Sequence, residues 1–359
     1  MNRLWRTFLI AVLSTACCEA ARAQVAPPTI LAIDIENFVA YYDDVPDASR
    51  RATDPNATTA VLGRNFAPSV LIADIVAVNG QPAKGTFVYH ALTLNLRTAP
   101  AAGQGIADIV RNNINNQAFE ILKSDGTPIG TIMTSGLGVG SAPPGAPVAV
   151  TQGNNAIVGG TGAFLGARGQ VGLAVQTSPA RLASMTEDPV NRRRFGGGRS
   201  RFTLHVIPLF RPEIVNTTHG PAVTHSSAST LVYAFDPASP AERLSLFATG
   251  LGPTVPGVDP GKPFPSTPQV TVNSPVEVLV NGQPAEVLSA VGVPSCPATI
   301  SRAHTTIPAT VLGPTVPVDA DDNCYQIDFR LPAGATGDTA NIQLRVAFIA
   351  GREVSISTR

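Results

Sequence analysis

The chain contains 359 residues with a formal net charge of zero, and 44% of its residues are hydrophobic while only 14% are charged. The apolar fraction is high enough to build buried cores, which excludes an intrinsically disordered chain. The neutral charge balance excludes electrostatic attraction to nucleic acid as the main function. This length predicts two domains, and the 32 glycines and 32 prolines favour short strands joined by frequent turns.

The N-terminal segment has the pattern of an export signal. Two arginines precede an apolar run from Thr7 to Cys18, and Ala21-Arg22-Ala23 has the small-x-small form of a cleavage site. We therefore expect residues 1–23 to be removed and the protein to be secreted or to stay in the periplasm or cell envelope. A buried helix and a lipoprotein signal ending at Cys17 are the alternatives. No later apolar stretch is long enough for a transmembrane helix, so none is expected in the mature chain.

The first half of the mature chain consists of strand-like segments. Alternation and β-branched content predict strands in these ranges: Thr29–Tyr42, Ser69–Val78, Thr86–Leu96, Ala118–Met133, Ile157–Val175 and Phe202–Phe210. In the first segment, one predicted face carries Leu31, Ile33, Ile35, Asn37 and Val39. Asp125-Gly126, between two apolar runs, predicts a hairpin turn because that turn needs positive φ.

A polar insertion lies between Ala180 and Arg201. It contains Arg192-Arg193-Arg194 followed by Gly196-Gly197-Gly198. Such a segment is either a loop that binds an anionic ligand or a solvated surface loop.

The sequence changes character near residue 212, where we place a domain boundary between residues 24–211 and 212–359. Strand-like segments recur after it at regular intervals: Leu244–Thr249, Val276–Val280, Tyr325–Leu331 and Asn341–Ile349. Turn residues separate these segments, and this spacing is typical of a β-sandwich.

Two cysteines, Cys296 and Cys324, remain once the predicted signal is removed. One remaining pair in an exported chain predicts a single disulfide. Two free buried thiols are the alternative. Only His304 lies between the two cysteines, and the five histidines are scattered, so no metal site is expected.

The segment from Ile157 to Gly169 reads Ile-Val-Gly-Gly-Thr-Gly-Ala-Phe-Leu-Gly-Ala-Arg-Gly. It resembles a signature of dirigent proteins, Gly-Gly-Thr-Gly-x-Phe-x-x-Ala-Arg-Gly, and is similar to a strand pair of allene oxide cyclases. The resemblance covers about residues 29–210 and implies an eight-stranded antiparallel barrel with an apolar cavity. The residues expected to shape its bends and core are Gly159, Gly160, Gly162, Phe164 and Gly169.

The resemblance implies a fold more firmly than a chemistry. Dirigent proteins carry an acidic residue and an arginine shortly before the glycine run, whereas Gly140 to Asn155 contains neither here. Arg168 matches the arginine inside the motif. The remaining candidates for polar anchors in an apolar pocket are on strands: Asp34, Glu36, Asp74, His90 and His205. Each of these is either such an anchor or an outward-facing solvated residue.

The C-terminal half resembles another family. Leu246 to Thr254, Asn281 to Leu288 and Tyr325 to Pro332 are similar to the immunoglobulin-like modules at the ends of many exported acidobacterial proteins. The resemblance covers about residues 213–359 and implies a spacer or an adhesive surface.

Three functions are compatible with this sequence. The barrel binds a small apolar molecule without changing it, or it is an isomerase or cyclase that confines a reactive substrate, or the protein is a structural or adhesive component of the envelope. The glycine run lacks the Lys-Ser/Thr of a phosphate-binding loop and the βαβ context of a dinucleotide site, so no cofactor is expected. The barrel resemblance implies that oligomers are possible.

Overall fold

The fold is described from a computed structural model of the chain. The structure describes residues 29–42, 66–94, 112–137, 152–217, 219–259, 262–294, 299–302, 305–310 and 324–359. These residues form an all-β protein, as the sequence predicts.

Nine strands of the described residues precede the predicted domain boundary. They are β1 (Thr29–Tyr42), β2 (Phe66–Val78), β3 (Gln81–Leu94), β4 (Asn112–Leu122), β5 (Pro128–Leu137), β6 (Gln152–Gly160), β7 (Arg168–Ser178), β8 (Arg181–Ser184) and β9 (Gly198–Ile207). Strand β1 pairs with both β2 and β9, and all eight neighbouring pairs around the ring are antiparallel. The sheet therefore closes into the predicted eight-stranded antiparallel barrel, with β8 added in parallel beside the end of β1.

We call the end of the barrel that carries the Asn79-Gly80 and Asp125-Gly126 turns the lower end, and the opposite end, where β1 finishes, the upper end. Gly126 has φ of 95°, and Asp125 accepts the backbone N–H of Thr127 at 2.8 Å. The predicted hairpin at Asp125-Gly126 is confirmed. The connections 43–65, 95–111 and 138–151 leave from the upper end and lie outside the described residues.

Strand β1 departs from simple alternation at Asn37. Leu31, Ile33 and Ile35 face the barrel core, but Asn37 has φ of 54° and the pairing with β2 shifts register between Glu36 and Val39. This bulge moves Phe38 onto the inner face. Val39, predicted to share the face of Leu31, instead packs outside in a small cluster with Tyr41 and Ala183.

Aromatic rings fill the middle of the barrel. The cluster, which we call the aromatic cluster, consists of Phe38, Phe87, Tyr89, Phe119 and Phe202. The centroid of Phe87 lies 4.9 Å from that of Phe119 and 4.8 Å from that of Phe202. These separations are within the favourable range for aromatic pairs, so the cluster adds pairing energy to its burial.

The glycine run between β6 and β7 closes the lower end of the barrel. A 3₁₀ turn at Gly162–Phe164 buries Phe164 completely. A Cβ atom at Gly160 would lie 2.2 Å from the carbonyl oxygen of Phe164, and one at Gly162 would lie 2.4 Å from that of Ile129. Glycine is therefore required at both positions because the backbone passes too close for any side chain.

An added side chain is expected to have different effects on stability at Gly169 and at Gly159 of this run. A Cβ at Gly169, where φ is 135°, would lie 1.8 Å from the His205 carbonyl oxygen on the neighbouring strand, whereas the nearest atom to a Cβ at Gly159 is 4.0 Å away. We expect Gly169→Ala to lower the free energy of unfolding by about 2 kcal/mol or more. Gly159→Ala should leave it unchanged or raise it by about 0.5 kcal/mol. Urea unfolding of both variants measures the difference, and equal effects would contradict this placement of the motif.

The second half of the chain forms a nearly closed sheet beside smaller strands. Its strands are β10 (Glu213–Ile214), β11 (Asn216–Thr217), β12 (Gly220–Pro221), β13 (Val223–His225), β14 (Arg243–Thr249), β15 (Thr254–Val255), β16 (Thr271–Val272), β17 (Val276–Val280), β18 (Gln283–Val293), β19 (Thr299–Arg302), β20 (Thr305–Thr310), β21 (Cys324–Arg330), β22 (Thr339–Val346) and β23 (Ile349–Ser357). The main order is β10-β14-β21-β18-β17-β22-β23. Its immunoglobulin-like form stays a prediction.

This half contacts the lower end of the barrel. The Nδ2 atom of Asn273 donates a hydrogen bond to the carbonyl of Pro128 at 2.7 Å. Cys324 is buried at the start of β21, and Cys296 lies outside the described residues, so the predicted disulfide stays a prediction.

Candidate functional site

The inner wall of the barrel becomes polar towards the upper end. Going up each strand, Tyr89 follows Phe87 on β3, and Gln117 and Asn115 lie above Phe119 on β4. On β5, Thr134 lies above Ile132, and on β6, Asn155 lies above Ile157. We call this set the polar wall: Tyr89, Asn115, Gln117, Thr134 and Asn155. Every member is at most 9% exposed, so these amide and hydroxyl groups are removed from solvent.

Strand register brings two asparagines of the polar wall together across a glycine. Asn115 on β4 is paired with Gly136 on β5, and Gly136 is paired with Asn155 on β6. Two strand spacings place the asparagine Cα atoms about 10 Å apart. Gly136 has no side chain, so no β5 side chain stands between the two asparagines at this level of the inner wall. We call Asn115, Gly136 and Asn155 the niche.

Two hydrogen-bond acceptors of the polar wall have no hydrogen-bond partner. Asn115 donates from Nδ2 to the Tyr89 hydroxyl at 3.2 Å, and Thr134 donates its hydroxyl to Oε1 of Gln117 at 3.1 Å. The Oδ1 atoms of Asn115 and Asn155 are buried without a hydrogen-bond partner. A buried acceptor without a partner costs about 1–3 kcal/mol, and native structures keep few of them. These two atoms therefore point to a missing partner at the niche.

The five candidate anchors named from the sequence lie on the outer face. Asp34 forms a bidentate pair with Arg201 at 2.6 and 2.8 Å, and Glu36 lies 3.4 Å from Arg199. His90 is exposed, because Phe87 and Tyr89 on the same strand occupy the inner positions. Strand alternation thus places these three side chains in the outward-facing alternative.

His205, the fifth of these anchors, and the motif residue Arg168 point away from the interior too. The Nη1 atom of Arg168 donates to the carbonyls of Val158 and Ala167 at 2.9 and 3.0 Å, so this arginine of the motif ties the β6–β7 bend together. His205 lies between the inner residues Leu204 and Val206, and burial lowers its pKa.

Asp74 is buried outside the barrel wall, beneath the insertion. Arg192 donates to it at 2.6 Å, Arg193 does so at 2.9 and 3.1 Å, and Asn37 does so at 2.9 Å. Burial raises the pKa of Asp74, but the hydrogen bonds from Arg193, Asn37 and Arg192 outweigh it and lower the pKa to about 2. We call these four residues the clamp.

The clamp decides between the two interpretations of the insertion. Its short helix α1 (Asn191–Phe195) places two of the three consecutive arginines on Asp74, and the third, Arg194, lies 5.4 Å from the Phe195 ring. Arg192 is only 8% exposed. The arginine run is therefore not a simple solvated loop: Arg192 is buried against Asp74, and Arg193, although its side chain is 64% exposed, is paired with the same carboxylate. The clamp holds the insertion, which contains β8, against the barrel wall where β8 pairs with β1.

Sequence reasoning missed the niche, although one signal for it was present. Asn115, Gln117, Phe119 and Ile121 alternate along β4 and share one face. Once Phe119 and Ile121 are assigned to the core, the two amides follow them inside.

Comparison with known proteins adds little. No protein-family model matches the chain, and no curated protein matches it. Among solved structures, the chain is similar to the N-terminal domain of the Streptococcus gordonii adhesin Sgo0707 at 10% identity and a TM-score of 0.20, covering 92% of each chain. A TM-score this low carries no argument about fold or function. In the described part of the chain, the helices are too short or too polar to cross a bilayer.

Proposed function

We propose that the barrel binds a small, largely apolar molecule against its polar wall. The observation that carries this proposal is the pair of unpartnered amide oxygens in the niche, next to the aromatic cluster. A bound molecule that places its apolar part on the rings and a polar group on the amides satisfies both surfaces. The glycine run and the second half of the chain lie at the lower end of the barrel, whereas the niche lies towards the upper end.

The resemblance to dirigent proteins and allene oxide cyclases supports binding inside the barrel. Confinement of a reactive substrate by an isomerase or cyclase would use the same interior. However, the ionisable side chains at the described inward-facing positions are tyrosines, so no acid–base pair favours catalysis over binding.

We further propose that the protein is exported, with a Cys296–Cys324 disulfide, and that its C-terminal half is an immunoglobulin-like spacer or adhesive module. The signal-like N-terminus and the family resemblances support these statements. Mass spectrometry of the mature protein under non-reducing conditions measures both the N-terminal residue and the disulfide.

Native mass spectrometry of the mature chain, purified from its own organism, tests ligand binding. We expect an additional small mass on the wild-type protein that is released on denaturation. Asn115→Leu/Asn155→Leu should lose this mass, and Asn116→Leu should keep it, because Asn116 is exposed on the same strand. A wild-type protein without any bound mass would overturn the proposal.

The niche also predicts a conflict between stability and binding. Asn155→Leu replaces a buried unpartnered acceptor with an apolar group of similar size, so we expect the ligand-free barrel to gain about 1 kcal/mol in its free energy of unfolding. The same change should weaken ligand binding. Asn116→Leu should shift the free energy by less than about 0.5 kcal/mol. Thermal unfolding of ligand-free protein checks the sign, and a loss of stability in Asn155→Leu would show that the amide is structural.

A further inference from the structure

The chemistry of the niche selects a class of ligand, and this selection rests on the proposed function. Both unpartnered atoms are carbonyl-type oxygens, which accept hydrogen bonds and cannot donate them. One N–H of Asn115 donates to the Tyr89 hydroxyl, and the Thr134 hydroxyl donates to the Gln117 oxygen, so neither bond uses the two Oδ1 atoms. The buried polar atoms of the niche that lack a partner are therefore both acceptors, and a ligand satisfies them by donating hydrogen bonds.

The neutral interior indicates that the ligand is uncharged. Among the described inward-facing residues there is neither a cationic nor a carboxylate side chain, because Asp34, Glu36, Asp74 and Arg168 all face outward. A carboxylate ligand would set its oxygens against two amide oxygens without a cation to balance it. An ammonium ligand would be desolvated without a counter-charge. A neutral hydroxyl group meets neither penalty.

We infer that the niche recognises a neutral molecule with two hydroxyl groups on neighbouring carbons of an apolar ring or chain. Each hydroxyl donates to one amide oxygen at about 2.8 Å, and two such bonds together with the carbon pair bridge side chains that start about 10 Å apart. The apolar part then lies on the aromatic cluster, where Tyr89 stacks on Phe87 with an interplanar angle of 11°.

Three ring compounds of similar size test this inference: trans-1,2-cyclohexanediol, 1,2-dimethoxycyclohexane and cyclohexanecarboxylate. Each is titrated into isotope-labelled mature protein made in a foreign host, and amide chemical shifts of β4 to β6 are followed by NMR. The diol should bind about tenfold more tightly than the diether, since the diether offers no donors. The carboxylate should bind most weakly.

The variants separate failure of this inference from failure of the proposed function. Asn115→Leu and Asn155→Leu should each reduce diol affinity to the level of the diether, and Asn116→Leu should leave it unchanged. A diether that binds as tightly as the diol at the same amides overturns the diol inference and leaves binding in the barrel standing. If none of the three compounds shifts these amides while native mass spectrometry finds a bound mass, only the diol inference fails. If native mass spectrometry finds no bound mass, both fail.

Discussion

Replacement of Phe87 by alanine is expected to lower the free energy of unfolding of the barrel by about 3–5 kcal/mol. Phe87 is 1% exposed and its ring contacts four other rings of the aromatic cluster, at centroid distances of 4.8 to 6.4 Å. Truncation removes these contacts and leaves a hole that the closed sheet cannot collapse to fill. Urea unfolding followed by circular dichroism measures the loss.

The adjacent residue provides the matched control. Val88 lies on the outer face of β3 and is 38% exposed, so Val88→Ala should cost less than about 1 kcal/mol. Similar losses for Phe87→Ala and Val88→Ala would mean that the inner and outer faces of β3 have been assigned wrongly.

Replacement of Asp74 by alanine is expected to cost about 3–5 kcal/mol and to release the insertion from the barrel wall. The side chains of Asp74 and Arg192 are 12% and 10% exposed and lie 2.6 Å apart, so removal of the carboxylate leaves a buried guanidinium without its counter-charge. Proteolysis should then cut within residues 181–197 before it cuts the wild type. Asp34→Ala is the control, because its pair with the half-exposed Arg201 is worth about 1 kcal/mol or less. Equal costs for the two variants would contradict the buried clamp.

The clamp also predicts a pH dependence. The pKa of Asp74 falls from 3.8 to about 2 on folding, because hydrogen bonds from the clamp outweigh the opposing effect of burial. A depressed carboxyl pKa stabilises the folded state above the unfolded value, and this contribution is lost as the pH falls from about 4 towards 2. The difference in melting temperature between wild type and Asp74→Asn should therefore shrink over that interval. A difference that is constant from pH 7 to pH 2 would show that Asp74 does not titrate in this way.

The architecture of the barrel could be predicted because its determinants are local. Turn residues at Asn79-Gly80 and Asp125-Gly126 fix the hairpins, and glycines at 160, 162 and 169 permit close backbone contacts that other residues prevent. These features depend on neighbouring positions in the sequence, so a fold resemblance built on them identifies the closed sheet.

The site could not be predicted in the same way because it depends on register and on distant residues. The bulge at Asn37 exchanges the faces of Phe38 and Val39, which simple alternation assigns the other way. Asp74 forms an ion pair with Arg192, which lies 118 residues further along the chain. The charged residues proposed as pocket anchors lie on the outer face, whereas the interior groups of the niche are neutral amides of β4 and β6.

A high-resolution crystal structure of the mature protein, purified from its own organism, tests the central claim most directly. Binding at the niche predicts continuous non-water density in front of Gly136, within hydrogen-bond distance of Oδ1 of both Asn115 and Asn155. Side chains packed across that position, or ordered waters alone on the two amide oxygens, would contradict it.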